Sequence, residues 1–124
     1  MKLHIISAML MASLFSSPLA WSQANLKKGA DTFAEECGDC HSALGKNKKG
    51  PSLVGLNGRK AGSVTDYVGY SDAMKESGIV WSADKLDAYI SHPKKLIPGG
   101  KMKYDGLSDA KARADVIAYV LSLK

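Results

Sequence analysis

Cys37-Gly38-Asp39-Cys40-His41 contains both cysteines of this 124-residue chain, and a histidine follows them at once. Two cysteines this close could form a thiol–disulfide redox pair, but no βαβ pattern surrounds them. In a C-x-x-C-H motif each thiol can add to one vinyl group of a haem, while the next residue reaches the iron. The motif therefore predicts one covalently bound haem c, with Cys37 and Cys40 as its anchors and His41 as an iron ligand.

Residues 1–24 have the pattern of a cleaved export signal. Lys2 is followed by an apolar stretch, 3–15, that is too short to span a bilayer, and Ser22-Gln23-Ala24 is a small-x-small cleavage site. We expect cleavage after Ala24 and a periplasmic location. The remainder, residues 25–124, is the size of one domain. It carries 16 basic and 12 acidic residues, a formal net charge of +4.

The iron needs a ligand on its second face, and residues 25–124 offer three candidates besides His41. Met102 follows the proline–glycine segment Ile97-Pro98-Gly99-Gly100-Lys101, a loop that can present a thioether without a helix fixing its direction. Met74 lies in a helical pattern, where methionine usually fills a core. His92 precedes a proline at a helix end, where an exposed imidazole is expected. We therefore predict His41 and Met102 as the metal ligands.

The hydrophobic periodicity is helical at both ends of the domain, and alternating strand patterns are scarce. A first helix begins at the N-cap Asn25 and ends at the cysteine motif, and a last helix begins at the cap Ser108. We expect these two helices to cross near Gly29, with Phe33 and Tyr119 in contact. The predicted apolar stripes are Leu26, Ala30, Phe33, Ala34 and Cys37 in the first helix, and Ala112, Val116, Tyr119, Val120 and Leu123 in the last.

Shorter helices and long loops fill the middle of the chain. One helix is predicted from Ser82 until Pro93 stops it, and a shorter one covers 71–77 and ends at Gly78. The segments 45–62 and 93–106 are rich in glycine, proline and lysine and are predicted to be loops. Ordered loops of this length need something to wrap around. The prediction is an all-α domain folded around its cofactor.

The chain from Leu26 to Leu123 resembles the class I cytochromes c, of the mitochondrial and bacterial cytochrome c2 type. This resemblance rests on an ordered series of motifs: Gly29-x-x-x-Phe33, the C-x-x-C-H motif, Gly50-Pro51-x-Leu53, Gly58-Arg59-Lys60, Tyr70-Ser71-Asp72, Gly78-Ile79-x-Trp81, Pro93-Lys94-Lys95-x-Ile97-Pro98-Gly99-x-Lys101-Met102 and Asp115-x-Ile117-Ala118-Tyr119. It implies the class I cytochrome c fold, with crossed terminal helices and long loops around one haem.

The resemblance also implies roles for individual residues. His41 would donate its second ring N–H to the carbonyl of Pro51, which fixes the ring. Four hydrogen-bond donors match positions near the haem propionates, namely Arg59, Tyr70, Ser71 and Trp81. Tyr89 matches a tyrosine whose hydroxyl lies near the ligand sulfur. Gly100 and Met74 depart from the family pattern, since many relatives have threonine and asparagine there.

A six-coordinate His/Met haem leaves no position for oxygen or substrate, so we expect a soluble electron carrier and not an enzyme. Its expected partners are acidic-faced redox proteins, such as a membrane cytochrome reductase and a terminal oxidase or reductase. Nucleic-acid binding, stable membrane insertion and oligomerisation are not expected. A subunit of a periplasmic dehydrogenase and a gas-binding haem protein remain the alternatives. The lysines expected around the haem edge are Lys46, Lys48, Lys49, Lys94, Lys95, Lys101 and Lys103.

Overall fold

The computed structural model describes residues 23–124, and the predicted leader lies outside the described residues except for its last two. The described chain contains five helices and no strand. In chain order the helices are α1 Leu26–Glu36, α2 Asp72–Glu76, α3 Ala83–Ser91, α4 Pro93–Leu96 and α5 Ala110–Ser122.

Helix starts follow the capping signals in the sequence at three of the four predicted positions. The side chains of Asn25, Ser71 and Ser82 accept hydrogen bonds from the backbone N–H three residues later, at α1, α2 and α3. The predicted Ser108 cap of α5 is wrong by one residue. Asp109 caps this helix instead, since its Oδ1 accepts the N–H of Ala112 at 2.8 Å.

Helices α1 and α5 cross at Gly29, as predicted. A Cβ at this position would overlap the carbonyl oxygen of Asp115 and would lie 2.8 Å from the Cβ of Tyr119. One turn further along α1, the rings of Phe33 and Tyr119 meet with centroids 5.5 Å apart and a 59° tilt. The absence of a side chain at Gly29 therefore lets two backbones touch, and the aromatic pair completes the contact.

The predicted stripes of α1 and α5 needed two corrections. On α1, the predicted stripe is too wide. Leu26 is 52 % exposed and Ala34 is exposed, and only Gly29 and Phe33 of this helix are buried. On α5, the buried set also includes Asp115, which is 3 % exposed. The buried apolar residues of the domain are Phe33, Leu56, Ala61, Trp81, Leu86, Tyr89, Ile97, Val116, Ile117 and Val120.

Pro93 ends α3 as predicted, but it also begins the short helix α4. The prediction of loop throughout 93–106 is therefore wrong for residues 93–96. Proline suits the first turn of a helix, where its missing N–H has no partner to lose. From residue 97 onward the chain is irregular until α5, and Leu107 returns to α3 by donating its N–H to the carbonyl of Ile90 at 2.8 Å.

The long segment between the cysteine motif and α3 is held by backbone bonds between its parts. Gly58 N–H donates to the carbonyl of Trp81 at 2.8 Å, Trp81 N–H donates to Arg59 at 3.0 Å, and Ala61 N–H donates to Ile79 at 2.8 Å. These bonds close residues 58–81 into a loop whose two ends lie side by side. In the part of the chain that the structure describes, no helix combines the length and the apolar character needed to cross a membrane.

Candidate haem site

His41 is oriented by a turn that continues directly from the end of α1. The N–H groups of Cys40 and His41 both donate to the carbonyl of Cys37, at 3.1 and 2.9 Å. The Nδ1–H of His41 donates to the carbonyl of Pro51 at 2.8 Å. Burial lowers the pKa of His41, although the bond to Pro51 opposes this effect. The ring is therefore neutral at pH 7, and its other nitrogen, Nε2, carries the free lone pair that a metal requires.

Gly50 fits against the face of the His41 ring. A Cβ at residue 50 would overlap Cε1 of this ring and would lie 2.8 Å from Nδ1. The N–H of Gly50 also donates to the carbonyl of Cys40 at 2.8 Å, which joins this loop to the cysteine motif. In the sequence, Gly50 stands out only as part of a motif shared with the class I cytochromes c, and its contact with His41 is not predicted. Its position next to Pro51, the predicted partner of His41, was the available signal.

Cys37 and Cys40 are half-buried and form no disulfide bond with each other. Burial raises the pKa of Cys37 to about 11, and the neighbouring Glu36 and Cys40 add to this effect. A thiol with so high a pKa remains protonated at neutral pH and is a poor partner for disulfide exchange. Two cysteine side chains three positions apart and one neutral imidazole with a free Nε2 fit a covalently attached haem.

Met102 is half-buried and packs against the edge of the apolar core. It borders an open cavity of about 850 Å³ together with Gly100, Lys101 and Tyr104. Two residues further on, the hydroxyl of Tyr104 donates to Oε2 of Glu36 at 2.8 Å, across 68 positions of sequence. This bond ties the Met102 loop to the last turn of α1, beside the cysteine motif. This bond could not be predicted from the sequence, because no local pattern links Tyr104 and Glu36.

Trp81 and Tyr89 are both buried, at 6 % exposed, and their rings lie 5.2 Å apart at 42°. Burial raises the pKa of the Tyr89 hydroxyl to about 12, so that it stays protonated and can donate a hydrogen bond. The structure thus brings together two of the residues for which the resemblance implies a place near the haem.

The other three predicted donors lie on the loop closed by residues 58–81. Arg59 uses two of its N–H groups to hold the carbonyls of Ser52 at 2.8 Å and Val54 at 3.2 Å, and burial lowers its pKa. Tyr70 accepts the N–H of Val64, and Ser71 accepts that of Met74 as the cap of α2. Both hydroxyls accept in these bonds, so their protons remain available to an external carboxylate.

His92, which was not predicted to be a ligand, is exposed at the junction of α3 and α4. Met74 packs on the core from α2. Both placements agree with the ordinary structural roles expected for them.

A five-helix domain with a C-x-x-C-H turn at the end of its first helix, a neutral histidine and long loops around the core defines a c-type haem protein. The chain belongs to the cytochrome c family, since the family model for cytochrome c matches residues 26–124. Its fold is the all-α class I cytochrome c fold predicted from the sequence.

The relatives include both mitochondrial-type and bacterial cytochromes. The chain is 51 % identical to cytochrome c of Gibberella zeae over 98 residues, which are 77 % of this chain and 92 % of the relative. It is 48 % identical to cytochrome c2 of Rhodopila globiformis, over 78 % of this chain and 92 % of the relative. The solved structure of cytochrome cH from Methylobacterium extorquens superposes with a TM-score of 0.73 at 41 % identity, covering 78 % of this chain and 97 % of that one.

Membership of this family confirms the predicted cofactor and the general function. The chain binds haem c covalently through Cys37 and Cys40, and it is an electron carrier.

Proposed function

We propose that this chain is a periplasmic, monomeric electron carrier whose haem iron is bound by His41 and Met102. The observation that carries the proposal is the 2.8 Å hydrogen bond from His41 Nδ1 to the carbonyl of Pro51, which leaves Nε2 as the ring nitrogen that could bind a metal. The overlap that any Cβ at Gly50 would have with the ring supports the same orientation.

The haem supplies an iron that changes between two oxidation states by one electron. His41 and Met102 would hold the iron between them, and with both bound, neither oxygen nor a substrate would find a free position. Thioether is a soft ligand that favours the ferrous state, and the apolar surroundings of Trp81 and Tyr89 disfavour added charge. Arg59, Tyr70, Ser71 and Trp81 would supply donors to the propionates. These features suit reversible electron transfer, not catalysis.

The surface around Met102 supports brief encounters with acidic redox partners. Lys94, Lys101 and Lys103 are exposed beside it, with Lys95 on the same short helix as Lys94. Positive charge at such a surface speeds association and sets orientation, and its effect falls as salt rises. The proposed partners are a membrane cytochrome reductase and a terminal oxidase or reductase.

Export is the second part of the proposal. Lys2, the apolar stretch 3–15 and the Ser22-Gln23-Ala24 site support removal of residues 1–24 and folding outside the cytoplasm. Recovery of the haem protein from the periplasm of a bacterial host, with Asn25 as its first residue by mass spectrometry, is the expected result. A haem protein that keeps residues 1–24 would overturn this part alone.

The ligand assignment is tested by the absorption spectrum of the holoprotein, recorded with and without carbon monoxide. We expect a methionine-to-ferric-iron band and no response of the reduced protein to the gas at neutral pH. Met102→Ala should lose the band and bind carbon monoxide, whereas Met74→Leu should behave as the native protein. Rapid carbon monoxide binding by the native protein would contradict the proposal and favour a gas-binding function.

A further inference from the structure

The backbone nitrogen of Asn25 points at a buried carboxylate of another helix. It donates to Oδ1 of Asp115, on α5, at 2.7 Å across 90 positions of sequence. Asn25 is fixed by two further bonds, since its side-chain oxygen accepts the N–H of Lys28 at 2.9 Å and its carbonyl accepts that of Gly29 at 2.8 Å. The nitrogen is therefore held in place by the start of α1 itself.

The side chain of Asp115 is only 4 % exposed, so its charge depends on the partners it has within the protein. One partner is the ammonium group of Lys111, 2.5 Å from the same Oδ1. The side chain of Lys111 is 49 % exposed and can withdraw into solvent, whereas Asn25 cannot move without uncapping α1. The hydrogen bonds from Lys111 and Asn25 lower the pKa of Asp115, which therefore remains ionised at neutral pH.

The proposed export step would cut the peptide bond between Ala24 and Asn25, which contains this nitrogen. Gln23, Ala24 and Asn25 are exposed and lie outside any helix. Hydrolysis of the Ala24–Asn25 peptide bond breaks the C–N bond and adds one water. The carboxylate stays on Ala24, and the nitrogen of Asn25 becomes a free amine that is protonated at neutral pH.

We propose that leader removal completes the contact between α1 and α5, because the new α-ammonium group of Asn25 forms an ion pair with the buried carboxylate of Asp115. The inference rests on the export part of the proposed function. Before cleavage the same atoms share a hydrogen bond from a neutral amide. After cleavage the bond is assisted by charge on both sides, which roughly doubles the strength of such a bond.

Several charges around this pair oppose or support it. A cation at the N-terminus of a helix is disfavoured by the helix dipole, and Lys28 and Lys111 repel it as well. The carboxylates of Asp31 and Glu35 on α1 and of Asp109 at the start of α5 line one cleft with Asp115, and their charge acts in the opposite direction. Among the described residues, Asp115 is the only one of these carboxylates in direct contact with the nitrogen. The net effect of the surrounding charges on the ammonium group is therefore attraction.

The pair should exist only within a defined pH range. An α-amino group titrates near pH ~8 in an unfolded chain, and a carboxylate partner raises its pKa in the folded chain. Its contribution to stability is therefore complete below about pH 8 and is lost as pH rises through the folded value. Because the pKa of Asp115 is lowered by folding, its own contribution is lost as pH falls through the acid range.

The test compares exported holoproteins that differ only at this nitrogen. Insertion of one glycine after Ala24 leaves the cleavage site and an amide N–H at Asn25, but moves the ammonium group one residue away. We expect the insertion to lower the melting temperature by about 4 °C at pH 6.5, and by less than half of that at pH 10. In an Asp115→Asn background, the insertion should have no effect.

Equal melting temperatures of the native and inserted proteins at pH 6.5 would overturn the inference, and so would an equal loss at both pH values. Processing at a bond other than Ala24–Asn25, seen by mass spectrometry, would also overturn it. The absorption spectrum of the same samples reports the His41 and Met102 ligands independently, so a failure here is distinguishable from a failure of the proposed electron carrier.

Discussion

The α1–α5 helix pair and the loop 41–51 each contain a glycine that has no room for a side chain. Gly29 abuts the backbone of α5, while Gly50 abuts the imidazole of His41. A helix backbone cannot yield without moving the whole helix, whereas an imidazole ring can turn. We therefore expect the contact in the helix pair to control the stability of the fold, and the contact in the loop to control the orientation of the His41 ring.

Replacing Gly29 by valine should break the helix pair and give the largest loss. The added side chain would meet the carbonyl of Asp115 and the Cβ of Tyr119, neither of which can move away, so the free energy of unfolding should fall by about 3 kcal/mol or more. Denaturant unfolding of the holoprotein measures it. Ala34→Val, at an exposed site on the same helix, should cost about 0.5 kcal/mol; equal losses would refute the close contact at Gly29.

Replacing Gly50 by alanine should affect the loop more than the fold. The His41 ring must turn and lose its bond to Pro51, which should cost about 2 kcal/mol. The proposed methionine-to-iron band and the reduction potential should also change, because the ring of His41, the proposed iron ligand, has been turned. Lys49→Ala, at the exposed neighbour, is the control. A Gly50→Ala protein with a native spectrum would show that the ring does not depend on this contact.

The start of α5 gives a smaller test of the helix pair. Asp109→Ala removes the side chain that caps Ala112 and should lower stability by about 1 kcal/mol. Ser108→Ala, at the cap expected from sequence, should change stability by less than about 0.3 kcal/mol. Thermal unfolding of both variants decides between the two caps. A larger loss for Ser108→Ala than for Asp109→Ala would show that Ser108 is the N-cap of α5.

The smallest expected effect concerns the bond that ties the Met102 loop to α1, the first helix of the pair. Tyr104→Phe removes the hydroxyl that reaches Glu36 and should cost about 0.5 kcal/mol, since the bond is exposed. The absorption band proposed for Met102 ligation should nevertheless be lost at a lower denaturant concentration than in the native protein. Tyr67→Phe removes a comparable bond, to the carbonyl of Lys49 at 2.6 Å, and is the control. Identical bands in both variants would exclude a role for Tyr104 in holding the Met102 loop.

The parts of the fold that could be predicted from sequence are those with local causes. Caps such as Ser82 act within one turn, and the helix crossing followed from a glycine and an aromatic at helical spacing. Pro93 was predicted only as the end of α3, because the same residue satisfies both a stop and a start signal. The sequence position of Pro93 does not show whether it ends one helix or begins another, and in the structure it does both.

The site could be predicted only as far as its motif extended. The C-x-x-C-H pattern indicated His41, and the resemblance supplied Pro51, with which the ring does share a hydrogen bond. The bond between Tyr104 and Glu36 and the buried carboxylate of Asp115 join residues 68 and 90 positions apart. Such pairs leave no periodic pattern, because their geometry exists only after the chain has folded.

The backbone bonds that close residues 58–81 also bear on how the molecule comes apart. A segment whose two ends are bonded to each other can detach as one cooperative unit while α1 and α5 remain docked. The amide protons of Gly58, Ala61 and Trp81 should then exchange with solvent at a common rate, faster than those in the centre of α5. Residues 58–61 and 79–81 would thus open in a single event, whose rate hydrogen exchange can measure.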